Sequence, residues 1–461
     1  MSKITSRISA SRILPLHLLA CLVLTLAALF TLQGCSSGTS SSAASTLAVK
    51  TSYVNSGTEG SSYSMILIAF GGTQTGYSWS LSSGTLPDGI TLSSAGVLAG
   101  TPTNSGTFTF SPKVTDSSSA SASASLTLTV AAVTPLTSYE FTGDTSPVHD
   151  PSIIRQGSTY YIFVTDAGQS DGFIPIRCSQ DKIAWTACGN VFTTLPSWVA
   201  NDVPLATNLW APDISYFNGL YHLYYAASSF GSQVSGIGLA TNTTLDSTDP
   251  NYKWVDQGAV LTSTTGNDYN AIDPSILVDT NGSVYMTYGS FWNGIFEQQI
   301  DPTTGQVLAG SAITHLAERA STVQYDPIEG SSLVHKGSYY YLFASFDFCC
   351  ETNPAQSDYK IAVGRSSSPT GPFLDQSGND MLAGGGTILL NGDANWAGPG
   401  GETAYIDPTG GDLIVFHALN LAQNGLDYLF VRSLDFTTGW PVIGNTSVTT
   451  PYTAPAIQKQ H

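Results

Sequence analysis

Between residues 48 and 133 apolar and polar positions alternate with a period of two, the mark of strands with one buried face. The stretch is dense in Ser, Thr and Gly. Beyond residue 138 a longer pattern takes over, in which an acid among small residues leads into an apolar pair, a Gly and a Tyr-rich strand. Its copies begin at Asp150, Asp213, Asp273, Glu329 and, in weaker form, Glu402, with spacings of 63, 60, 56 and 73 residues. No convincing helical period lies between them. A repeat near 60 residues built of short strands predicts four-stranded sheets set radially, an all-β, five-bladed β-propeller, and the alternating stretch before it predicts a small β-sandwich. A solenoid is the alternative, with its acids spread along a face instead of gathered at one mouth.

Composition narrows the function. Of 461 residues only 10% are charged, with 15 Lys+Arg against 33 Asp+Glu and a formal charge of −18. That balance excludes a phosphate-backbone partner, so no nucleic acid is expected. The 22 Tyr, 19 Phe and 8 Trp exclude a disordered acidic chain. At the start, Lys3, Arg7 and Arg12 precede an apolar run from Ile13 to Phe30, and then comes Leu32-Gln33-Gly34-Cys35. The last four residues resemble the bacterial lipobox, which implies a signal peptide over 1–34 and a lipidated Cys35; a plain transmembrane anchor is the alternative. Residues 35–47 form a Ser-rich linker, and loss of three bases takes the charge from −18 to −21. The chain is therefore expected to be exported, as a cell-envelope lipoprotein (outer membrane in a Gram-negative host) or secreted, touching the membrane only through its lipid. Cys178 and Cys188 flank a polar turn and can be joined across two strands. Adjacent Cys349 and Cys350 either bond to each other or stay free.

Chemistry is carried by Asp150, Asp273 and Glu329. Asp-Pro-Ser can be a mere strand-capping turn. Glu329 is a poor turn residue, however, and several acids brought to one mouth are costly to bury. Paired carboxylates suit glycoside hydrolysis, one giving a proton to the leaving oxygen and the other activating water, with a third raising the acid's pKa.

Two resemblances sharpen this. Leu86-Pro87-Asp88-Gly89-Ile90-Thr91-Leu92, Gly100-Thr101-Pro102 and Gly106 to Asp116 resemble the immunoglobulin-like domains of bacterial surface proteins, read as a spacer over 48–133. Residues 138–461 hold His149-Asp150-Pro151-Ser152, Trp210-Ala211-Pro212-Asp213, Ile272-Asp273-Pro274-Ser275, Glu329-Gly330-Ser331, Tyr288 to Ile295 and Phe348-Cys349-Cys350. These resemble family 43 glycoside hydrolases, within them the endo-1,5-α-L-arabinanases. The resemblance implies inverting cleavage of arabinan, with Asp150 as general base, Glu329 as general acid and Asp273 as modulator of its pKa. It implies substrate contacts at Gly236, Asn270, Ala271, Ile272, Asp273, Ser290, Phe291 and Trp292, with Phe230 and Trp210 as stacking residues. His417 matches a channel histidine near a metal ion such as Ca2+ or a water, no cofactor being needed for the chemistry. A monomer is expected. An exo-acting arabinofuranosidase or β-xylosidase, or a non-catalytic glycan-binding lipoprotein, are the rival readings.

Overall fold

Hairpins form where the repeat places its glycines. Gln156 faces Thr159 across Gly157-Ser158, Phe217 faces Leu220 across Asn218-Gly219, and Lys336 faces Tyr339 across Gly337-Ser338. Asn218 and Gly219 both have positive φ, 48° and 78°, as a two-residue hairpin turn of matching twist demands. The computed structural model describes residues 46–444 apart from 55–56, 60–62, 132–140, 167, 169–171, 320–324 and 409–410. The signal peptide, Cys35 and most of the linker lie outside the described residues. Among the described residues no helix is long and apolar enough to cross a membrane.

The N-terminal strands make two main sheets. One holds Gly57–Thr58, Leu126–Ala131, Gly106–Thr115 and Ser78–Gly84, and the other Tyr63–Ile66, Val97–Gly100 and Ile90–Leu92. Trp79, Leu98, Phe110, Val114 and Leu128 fill the core they share.

Among the described residues from Thr142 onward five sheets follow, antiparallel except where Thr142–Gly143 joins the outer edge of the first in parallel, each with an innermost strand at one edge. These are β1 (Ser152–Gln156), β2 (Leu209–Phe217), β3 (Ser275–Val278), β4 (Ile328–Lys336) and β5 (Trp396–Tyr405). Each touches the next, and β5 returns to β1, so the sheets close on themselves as a β-propeller. That closure rules out the solenoid. Apolar side chains pack between neighbouring sheets, including Phe163, Tyr225, Phe343 and Phe416, each worth about 1.5–3 kcal/mol of burial.

The acids do not share one frame, which corrects the repeat as read from sequence. What repeats in space is a left-handed residue at the head of each inner strand: Asp150 (φ 45°), Ala211 (38°), Asp273 (53°), Gly330 (57°) and Gly401 (57°). Glu329 stands one residue before that position, Glu402 one after and Asp213 two after. Asp213 is a stitch between sheets. Its Oδ1 accepts from Ser152 Oγ at 3.1 Å and its Oδ2 from Ile276 N at 2.8 Å, so it ties β2 to both neighbours. Ser152 and Ser332, at the same place in β1 and β4, accept from Ile214 N and Ala404 N of the following strand. Burial pushes the Asp213 carboxyl up to about 7, against the pull of the Ile276 and Ser152 hydrogen bonds.

Candidate active site

The heads of the inner strands converge, so residues far apart in sequence line one cleft of about 660 Å3. Asp150, Asp273 and Glu329 all face it, with His149, Thr165, Trp210, Phe230, Asn270, Ile272, Ser290, Phe291, Trp292, Phe348, Cys349, Cys350 and Tyr359 around them. Below lies a small cavity of about 30 Å3 rimmed by the five left-handed residues.

Each acid is held differently. Asp150 Oδ2 accepts from Thr165 Oγ1 at 2.7 Å, and the same oxygen of Thr165 accepts from Ala211 N at 2.8 Å. Asp150 N donates to His417 Nδ1 at 3.2 Å, and His149 Nε2 stands 3.6 Å from Asp150 Oδ1. Burial disfavours the His149 cation, but Asp150 and the Asp427 carboxylate outweigh it and push His149 up to about 10. His149 is thus a cation beside Asp150. His417, stacked on His149 at 3.8 Å and fully enclosed, is driven down to about 4 by burial and by that neighbouring cation.

Glu329 Oε2 accepts from Ser290 Oγ at 2.7 Å, and Asp273 Oδ2 accepts from Gly330 N at 3.1 Å. Asp273 therefore holds the backbone next to Glu329. Both carboxyls are pushed above their ordinary values, first by burial and then by nearby carboxylates: Glu329 and Asp150 for Asp273, Asp150 for Glu329. Two such groups titrate as a pair, and the pair keeps a proton at a pH where a free carboxyl would lose it.

The remaining sequence candidates divide. Asn270, Ile272, Ser290, Phe291, Trp292, Trp210 and Phe230 line the cleft. Phe230 is 85% exposed, on a turn closed by Ser232 N to Ser229 O. Phe291, Trp292 and Asn293 are all left-handed, a strained run that turns the indole of Trp292 into the opening. Gly236 and Ala271 do not reach the cleft, correcting two expected contacts. Gly236 packs within its strand against Trp198, and Ala271 is buried in the core beside Tyr288 and Met286. Ser290 reaches the cleft but spends its hydroxyl on Glu329.

Sequence reading missed Thr165 and Tyr359. Thr165 lies just past the end of strand Thr159–Phe163, a place no motif marks. Tyr359, which lines the cleft, precedes strand Lys360–Ser366. Only the closed ring brings either one in.

Among the described residues two groups could gather a metal: His149 with His417 and Asp427, and His149 with Cys349 and Cys350. In the second, both sulfurs are bonded to each other and offer no thiolate. The first offers two imidazoles and one carboxylate, whereas calcium takes 6–8 oxygens. These residues do not fit Ca2+, and no step below passes through a metal.

The family model described as glycosyl hydrolases family 43 matches residues 145–441, and the one described as "Putative Ig domain" matches 44–131. An extracellular endo-α-(1→5)-L-arabinanase of Bacillus subtilis is 42% identical over 295 residues, 64% of this chain and 87% of the relative. An extracellular exo-α-(1→5)-L-arabinofuranosidase of Cellvibrio japonicus is 38% identical, covering 64% of this chain and 86% of its own. A solved Cellvibrio cellulosa α-L-arabinanase complexed with arabinohexaose superposes with a TM-score of 0.60 at 37% identity, over 65% of this chain and 96% of that one.

Proposed function

Because the chain belongs to glycosyl hydrolase family 43, we propose that its cleft hydrolyses internal α-1,5-L-arabinofuranosidic bonds of arabinan, with inversion, on a propeller of five blades. The observation that carries this reading is the trio in the cleft: a proton-holding pair, Glu329 with Asp273, facing a third carboxylate, Asp150, that is hydrogen-bonded by Thr165.

The roles follow from how each group is held. Glu329, whose hold on a proton is strengthened by burial and by the nearby Asp150 carboxylate, gives its proton to the leaving sugar oxygen. Ser290 fixes one oxygen of Glu329 and leaves the other for the substrate. Asp150 takes a proton from a water that attacks the anomeric carbon from the opposite face. Asp273 and Glu329 repel each other when both are charged, which raises the pair, and through Gly330 N Asp273 sets the position of Glu329. Trp292 and Phe230 offer apolar faces to the furanose rings. No metal is needed for any step. The extracellular relatives and the basic-apolar start of the chain favour an exported enzyme that meets arabinan outside the cell.

The exo reading has support in the Cellvibrio japonicus relative. Product sizes separate the two. Linear arabinan should lose viscosity early and yield a spread of oligomers; release of a single small product from the start would favour the exo alternative, and no new reducing ends would sink both.

A further inference from the structure

The loop between strands Tyr339–Phe346 and Lys360–Ser366 carries Phe348, Cys349 and Cys350. The two cysteines are bonded to each other. Cys349 is half-buried and Cys350 exposed. The pair lines two cavities at once: the catalytic cleft, and a hollow of about 250 Å3 that holds His149, His417 and Asp427. It is therefore the partition between them. Beside it Phe348 meets Phe291 with ring centroids 5.9 Å apart, and Cys350 Sγ stands 4.0 Å from His149 Nε2.

Resting on the reading above, we propose that the Cys349–Cys350 cystine is a sugar-contacting wall of the cleft that sets affinity for arabinan. A bond between neighbouring cysteines closes a small ring, which removes the rotamer freedom of both side chains and replaces two thiols by an apolar, polarizable surface. A furanose presents C–H groups to such a surface, and a wall already rigid loses little entropy when the sugar arrives. Phe348 and Phe291 continue the same surface. His149 is held independently by Asp427, 3.4 Å from its Nδ1, so Asp150 keeps its neighbour when the wall changes. The wall therefore acts on binding and leaves the chemical step alone.

Opening the wall takes two electrons and two protons from a dithiol reductant, which leaves as its cyclic disulfide while Cys349 and Cys350 become thiols. The freed side chains rotate, and the cleft gains the hollow behind it. Cys178–Cys188 is also reducible, so the experiment uses the full chain carrying Cys178→Ala and Cys188→Ala, two positions on the first sheet that do not line the cleft. On linear arabinan, reduction should raise KM about five- to tenfold, the size expected for losing about 50 Å2 of apolar contact, with kcat within about twofold. Reoxidation should restore KM. Cys349→Ala with Cys350→Ala should behave like the reduced protein and unfold at nearly the same temperature. Free thiols at 349 and 350 in the untreated enzyme, found by alkylation and mass spectrometry, would overturn the proposal. So would an unchanged KM in the folded double variant, or a fall in kcat without a change in KM. A folded parent protein with no action on arabinan overturns the functional reading itself, whereas an active one with KM unmoved overturns the wall alone.

Discussion

At the scale of single residues, the account turns on which carboxyl holds a proton. Glu329→Gln keeps size and the Ser290 contact but cannot give a proton to the leaving oxygen. Activity should fall by about 10²–10⁴-fold while oligosaccharide binding persists. Calorimetric titration with arabinohexaose beside a rate assay checks both halves, and near-normal turnover would remove Glu329 from its role. Asp273→Asn is the finer test, because the asparagine oxygen can still accept from Gly330 N. Position is retained and the negative charge is lost. Repulsion on Glu329 then falls, its pKa drops towards the ordinary value, and it ionises at lower pH. The alkaline limb of kcat/KM against pH should shift towards acid, and an unmoved limb would leave Asp273 as a structural turn. These three acids were legible in sequence because each stands in a short motif before Pro or Gly. Thr165, Tyr359 and the burial of Gly236 and Ala271 were not, since they depend on which neighbouring strand arrives beside them.

At the scale of elements, the inner strands show why the repeat could be counted but not aligned. Sequence reading follows chemistry and so lined up the acids. The fold instead repeats a left-handed residue, which Asp, Ala and Gly fill in turn, and chemistry is hung one residue before, upon or after it. Gly401 shows the constraint: a Cβ there would run into Asp150 Oδ1 and the ring of His417. Glu402, the next residue on β5, is 3% exposed, and Ser345 Oγ donates to its Oε2 at 2.5 Å. Burial pushes its carboxyl up to about 8. The sign follows from linkage: a raised folded pKa means the folded state holds its proton more tightly, so this stabilisation is full below the unfolded value and is lost as pH rises through about 8. Glu402→Gln should therefore flatten the fall in melting temperature between about pH 5 and 8, a difference worth up to a few kcal/mol. Parallel unfolding curves for both proteins across that range would contradict the burial of an uncompensated Glu402.

For the whole molecule, closing the ring accounts for what a linear reading could only partly supply. Period-two alternation and Gly-Tyr hairpins made the all-β class readable. The contact of β5 with β1 has no local signature, because it joins segments some 240 residues apart, and it alone brings His417 behind Asp150. The His149–His417–Asp427 group at that junction lacks the oxygens calcium needs. Dialysis against a chelator should accordingly leave kcat unchanged on linear arabinan, and a loss restored by added Ca2+ would place an ion in the machinery after all. The central claim is direct attack of water at the anomeric carbon, and proton NMR of the first products released from linear arabinan reads it out. The account predicts that new reducing ends appear first as the β-anomer, on oligomers of mixed length, before mutarotation mixes the signals. Reducing ends that appear first as the α-anomer would mean a retained configuration and a covalent intermediate, and would contradict it.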